Sequence, residues 1–165
     1  MPSIRHLVLA ATLLAGSLPL QAHEPVVVAA DADALFHSRD PHLDRNKQAA
    51  YHIIRDLIDS GHWEMADQFL TERYIQHNPM ADTGRAAAVK FFTEVLQAKP
   101  EPIPAKLVKS KVVAVVAEGD FVTVTYVREL KDPKDPAKTY TTSWFDMWRF
   151  VDGKADEHWD PMTRM

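Results

Sequence analysis

"TYTTSWFDMWRFVDGKADEHWD", residues 139–160, decides the fold. A long β-prone run and a shorter one flank Asp152-Gly153, and Asp-Gly between two such runs is a strong hairpin signal. Side chains alternate across a strand. Tyr140, Thr142, Trp144, Asp146, Trp148 and Phe150 therefore share one face, with Thr141, Ser143, Phe145, Met147 and Arg149 on the other. The first set is bulky and aromatic around a single carboxylate, while Arg149 and the smaller polar residues place the second set nearer solvent or a partner. A carboxylate among aromatics is costly unless hydrogen-bonded or paired, and such a setting moves its pKa. On the shorter run His158 and Asp160 share a face, opposite Glu157 and Trp159. Symmetric pairing about the turn brings Asp146 to about the level of Asp160, and one bulge would shift that. Two orientations stay open. Either His158 and Asp160 join Asp146 on a concave surface, or Trp159 points inward and the pair is solvated. Asp146 itself reads either as a functional acid or as a structural one bonded to backbone.

Upstream, "KLVKSKVVAVVAEGDFVTVTYVREL" is two β-branched runs joined at Glu118-Gly119-Asp120, a second hairpin, and "KDPKDPAK" is a polar loop. The first half is helical. Asp40-Pro41 caps and opens a helix, Leu43, Ala50, Ile53, Ile54, Leu57 and Ile58 recur at helical spacing, and Gly61 ends it. "HWEMADQFL" reads as a second short helix and Arg85 to Ala98 as a third, which "KPEPIP" terminates. Three helices followed by an antiparallel sheet predict an α+β fold, with the helices across one face of a curved sheet and a pocket between. "YIQHNP", residues 74–79, reads as a loop in which Pro79 restricts Asn78. The apolar flanks of His77, namely Tyr74, Ile75 and Met80, tuck that loop against the core. His37, His42, His52 and His62 fall on exposed or linker positions and receive no role.

The 165 residues fit one domain, and 46% apolar with 25% charged residues is an ordinary globular composition. A formal charge of -4 without a basic run gives no reason to expect a nucleic-acid partner or an acidic membrane surface. Residues 1–22 show the polar start, apolar run and small-residue exit of a signal peptide. The apolar run is shorter than the ~20 residues a spanning helix needs. The expectation is a periplasmic or secreted protein, with no membrane attachment after cleavage near Ala22. Residues 23–38 read as a flexible lead-in, and 39–165 as the domain. The absence of cysteine excludes disulfides, thiol catalysis, thiolate metal sites and a lipoprotein anchor.

"RYIQHNP" at 73–79 and "FDMWRFVDGKADEHWD" at 145–160 give the chain a family likeness. It resembles the SnoaL-like family of the nuclear transport factor 2-like superfamily, in the branch described as aldol-condensation-catalysing. The likeness spans roughly Asn46 to Asp160. It implies a cone-shaped, curved antiparallel sheet wrapped around a long N-terminal helix, a pocket between them, and a homodimer formed through the sheet's outer face. It also implies an aspartate acting as acid and base without metal or cofactor; Asp160 is the position that matches, and His77 and His158 fall in the branch's motifs. The signal segment and the "KDPKDPAK" loop depart from the polyketide-tailoring pattern.

Three readings of function follow. In the first, a cofactor-free lyase, isomerase or cyclase acts on a small carbonyl compound. Asp160 is its base, His158 orients it, His77 or Asp146 polarises the oxygen, and Tyr74, Asn78, Trp144 and Trp148 contact the ligand. In the second, the same pocket binds a small apolar ligand without catalysis. The third is a metal site from His77, His158 and Asp160; no short helical metal motif supports it, so no metal ligand is assigned.

Overall fold

The computed structural model describes residues 24–164; the expected signal peptide lies outside the described residues. Helix α1 spans Pro41–His52 and continues as a π-helical stretch over Ile53–Asp59. Asp40 caps it as expected, accepting from the backbone N–H groups of His42 at 2.8 Å and Leu43 at 3.1 Å. Gly61, at φ +75°, stops it in a backbone conformation that side chains disfavour. The apolar stripe of α1 packs on the concave face of the sheet, burying Ile54 and Leu57 completely with Trp148, Phe150, Val122 and Val124. A short 3₁₀ turn at Trp63–Met65 leads into α2, Ala66–Phe69. Helix α3, Arg85–Lys90, runs on as a π-helical turn over Phe91–Val95.

Five strands form one sheet: β1 Leu70–Gln76, β2 Val112–Glu118, β3 Phe121–Lys131, β4 Thr139–Val151 and β5 Lys154–Trp159. Their spatial order is β1-β5-β4-β3-β2. Both expected hairpins are present. Asp152 and Gly153 both take positive φ, 50° and 77°, the twist-matched geometry that Asp-Gly favours.

The sheet departs from the expected antiparallel arrangement at one edge. Leu70–Gln76, read from sequence as a helix end and a loop, is strand β1, and it pairs parallel to β5. "LTERYIQ" carries too many polar residues to announce a strand. Its partner lies about eighty residues away, with Gln76 opposite His158 and the His77 N–H donating to the His158 carbonyl at 3.0 Å. The lead-in is likewise not free. Phe36 is fully buried on Tyr51, and the Ala29 N–H donates to the Val112 carbonyl at 2.9 Å. One buried aromatic without periodicity is invisible to pattern reading.

Between β4 and β5 the register slips by one residue. Phe150 pairs with Ala155 but Arg149 pairs with Glu157, leaving Asp156 as the extra, bulged residue. Beyond the bulge Trp148 stands opposite His158 and Met147 opposite Trp159. Asp156 is 4% exposed, and its carboxylate accepts from Thr71, from both Nε and Nη2 of Arg73, and from Arg149. The bulge is thus anchored to β1 on one side and β4 on the other.

Candidate functional site

Because a one-residue slip exchanges the two faces of a strand, the bulge at Asp156 turns His158 toward the concave side. His158 is 8% exposed, beside the fully packed Trp148 and with Tyr74 stacked at 6.3 Å. Its Nδ1 donates to Gln76 Oε1 at 2.9 Å, which leaves Nε2 facing Asp146 Oδ1 at 3.4 Å. Asp160 lies on the same face, and one donor atom from each of Asp146, His158 and Asp160 falls within 4.8 Å of the others. Trp159 takes the opposite side, stacked on His77 at 4.8 Å and tilted against Phe121 at 6.0 Å. Of the two orientations the sequence left open, the concave one is found.

The two carboxylates differ in their commitments. Asp160 Oδ2 accepts from Asn78 Nδ2 at 2.7 Å and Oδ1 from the Met162 N–H at 2.9 Å, so both oxygens are held. Asp146 Oδ1 accepts from Trp144 Nε1 at 3.1 Å and lies beside His158 Nε2, while Oδ2 has no hydrogen bond among the described residues. Tyr126 lies against Asp146 with its hydroxyl buried and without a well-formed hydrogen bond among the described residues; burial first, and then the neighbouring Asp146 carboxylate, hold that phenol's pKa well above its usual value. Burial likewise raises the pKa of Tyr74, which stays protonated while its oxygen accepts from Trp148 Nε1 at 3.1 Å.

Two hollows meet at Asp146 and Ile58. The inner one, about 180 Å³, is walled by Ile53, Leu70, Ala88, Phe91 and Phe92, with the polar cluster at one side. Trp63 also lines it, 4% exposed, stacked on Phe92 at 3.8 Å and with an Nε1–H that has no hydrogen-bond partner among the described residues. The outer hollow, about 500 Å³ and wide open, is bordered by Lys109, Lys111, Tyr126, Arg128 and Trp144.

The candidate residues divide accordingly. Asp146, His158, Asp160, Tyr74, Asn78 and Trp148 gather on the inner cavity, and Trp144 lines the outer hollow. His77 is a correction: it sits on the convex face, bonded to Glu157 Oε1 at 2.8 Å, and cannot polarise a substrate in the cavity. The reason is strand alternation, since β1 sends Tyr74 and Gln76 one way and His77 the other. The metal set proposed with His77 falls with it; Asp146, His158 and Asp160 are the three donors brought together. Sequence reading missed Gln76 and Trp63. Recognising "YIQHNP" as strand would have placed Gln76 beside Tyr74, but nothing in the sequence marks the Trp63 N–H as unpartnered.

The family model of the SnoaL-like domain matches residues 53–158. Among solved structures, a candidate SnoaL-like polyketide cyclase from Jannaschia sp. CCS1 is 17% identical, with a TM-score of 0.52, over 76% of this chain and 91% of its own. A candidate polyketide cyclase from Acidithiobacillus ferrooxidans is 17% identical at a TM-score of 0.51, over 70% of this chain and 86% of its own. An NTF2-like protein of unknown function from Burkholderia pseudomallei is 14% identical at a TM-score of 0.50, over 72% and 91% respectively. These likenesses concern the fold. No curated protein matches the sequence.

Proposed function

The chain belongs to the SnoaL-like domain family, and on that premise we propose that its inner cavity binds a small carbonyl compound and moves protons on it without a cofactor. The observation that carries this reading is the buried His158, fixed by Gln76 and facing two carboxylates on the wall of an otherwise apolar cavity. Asp146, through its uncommitted oxygen, is the base that removes a proton next to the carbonyl. The charge that develops on the carbonyl oxygen needs a donor in place, and the protonated Tyr74 hydroxyl supplies it. The proton taken by Asp146 passes to His158 Nε2 and returns to the product carbon or oxygen. Asp160, held by Asn78 and the Met162 N–H, is a fixed negative charge that stabilises the imidazolium formed in that transfer. The role expected of Asp160 thus moves to Asp146, because Asp160 is the more fully hydrogen-bonded of the two.

The test compares Asp146→Asn and His158→Gln with the parent on a panel of small ketones and aldehydes, measuring turnover and ligand affinity separately. Turnover falling about 10²–10⁴-fold with affinity retained is the expected result. Unchanged turnover in both variants would refute the assignment. A parent that binds tightly and turns over nothing would instead favour the non-catalytic ligand-binding reading. The convergence of two carboxylates and an imidazole also supports a second reading, a divalent cation held by Asp146, His158 and Asp160. Stoichiometric metal in protein purified without chelator would favour it.

A further inference from the structure

We propose that the outer hollow is a second subsite, taking an oxyanion, carboxylate or phosphate, carried by the same small molecule whose carbonyl enters the inner cavity. The inference rests on the inner cavity being the ligand's reacting site. The inner cavity, about 180 Å³, is well below the ~300–1,000 Å³ usual for ligand sites, so anything beyond a few heavy atoms must extend past Asp146 into the outer hollow. What it meets there is cationic. Arg128 stands on the concave face of β3, opposite Thr142, where a curved sheet normally buries apolar groups. Its guanidinium lies 4.4 Å over the Trp144 ring and makes no ion pair among the described residues. That stacking holds the planar fork in one place, leaving its N–H donors for a partner with oxyanion geometry. Lys111 borders the same hollow and is paired only loosely, at 4.0 Å, with the exposed Glu129. Lys109 is committed, to the Asp59 carbonyl and to Glu101, both at 2.7 Å. The acid on the hollow's lining is Asp146, at its inner end.

The electrostatics therefore run from a negative proton-handling cluster inside to a positive mouth. A keto acid or keto phosphate fits that order, carbonyl first and anion last. A wholly apolar ligand would leave Arg128 without a role.

Isothermal titration calorimetry on the intact chain tests this with three probes: acetylbutyrate (a methyl ketone with a carboxylate at its far end), its neutral amide, and the matching alkyl phosphate. Acetylbutyrate is expected to bind about tenfold more tightly than the amide, with the preference shrinking as salt is added. Arg128→Gln, checked for an unchanged melting temperature, should erase most of the preference and Arg128→Gln with Lys111→Gln all of it. A phosphate binding more tightly than the carboxylate would support the subsite and identify phosphate as its anion. Equal affinity of acid and amide, no binding of any probe, or a preference surviving the double substitution would overturn it. Since binding and not turnover is read, an intact preference without turnover counts against the catalytic reading alone, and turnover without preference against the subsite alone.

Discussion

Replacing Asp156 by Asn tests the link between the bulge and the site. The carboxylate is 6% exposed and ties three strands, accepting from Thr71 at 2.8 Å, from Arg73 Nη2 at 2.6 Å and from Arg149. Breaking a buried ion pair costs about 3–5 kcal/mol when the abandoned partner stays buried. Here Arg73 is 60% exposed and regains water, while Arg149, at 24%, regains less. The expected loss is therefore smaller, about 2–3 kcal/mol, or a melting temperature lower by about 6–10 °C for a domain of this size. The exposed Lys138–Asp135 pair is the control, and Asp135→Asn should cost under about 0.5 kcal/mol.

The pH dependence has a definite sign. The Arg73 guanidinium, with Thr71 and Arg149, holds the Asp156 carboxyl below its ordinary value against the opposing effect of burial. A depressed carboxylate stabilises the fold above its unfolded pKa, about 3.9, and loses that contribution as pH falls through the folded value. The gap in stability between parent and Asp156→Asn should accordingly be full at neutral pH and close on acidification below about pH 4. Urea unfolding across pH measures it. Hydrogen exchange adds the structural readout, because the His77 amide, bonded to the His158 carbonyl, should lose protection in the variant. A loss under about 1 kcal/mol, or a gap that persists in acid, would show that Asp156 does not anchor the bulge.

Two further outcomes are expected. Gly61→Ala should destabilise by about 3 kcal/mol or more, because an added Cβ at φ +75° would run into the Lys99 carbonyl, whereas Gly119→Ala, at φ +54° with open space around it, should cost about 1 kcal/mol; thermal melts of the two variants, found equal, would refute this. The convex face exposes Phe121, Phe145 and Val116 together, and we propose that a second copy of the chain covers it, so light scattering should give a dimer that Phe145→Asp splits, and a monomeric parent would remove the idea.

Much of the fold is written locally. The α1 cap at Asp40, the Gly61 stop and the two hairpin turns each follow from the conformational preferences of a few adjacent residues. So does the aromatic inner face of β4, which alternation alone assigns and which burial of Trp148 and Phe150 bears out. Strand β1 was not legible, because its polar sequence becomes a strand only when β5 arrives to pair with it. Gln76 was hidden for the same reason, and His77 was placed on the wrong side.

The sequence by itself determined the order of helices and hairpins, and that Asp146 shares a face with tryptophans, since these depend on backbone preference and strand period. It also put His158 and Asp160 on one common face of the last strand. Which way that face turns was decided only by the tertiary structure. A single extra residue, Asp156, shifts the register and exchanges inside for outside, and the arginines that hold it come from β1 and β4. Alternation fixes relative orientation within a strand, but the absolute orientation belongs to the pairing, and the pairing here depends on charges brought together from distant parts of the chain.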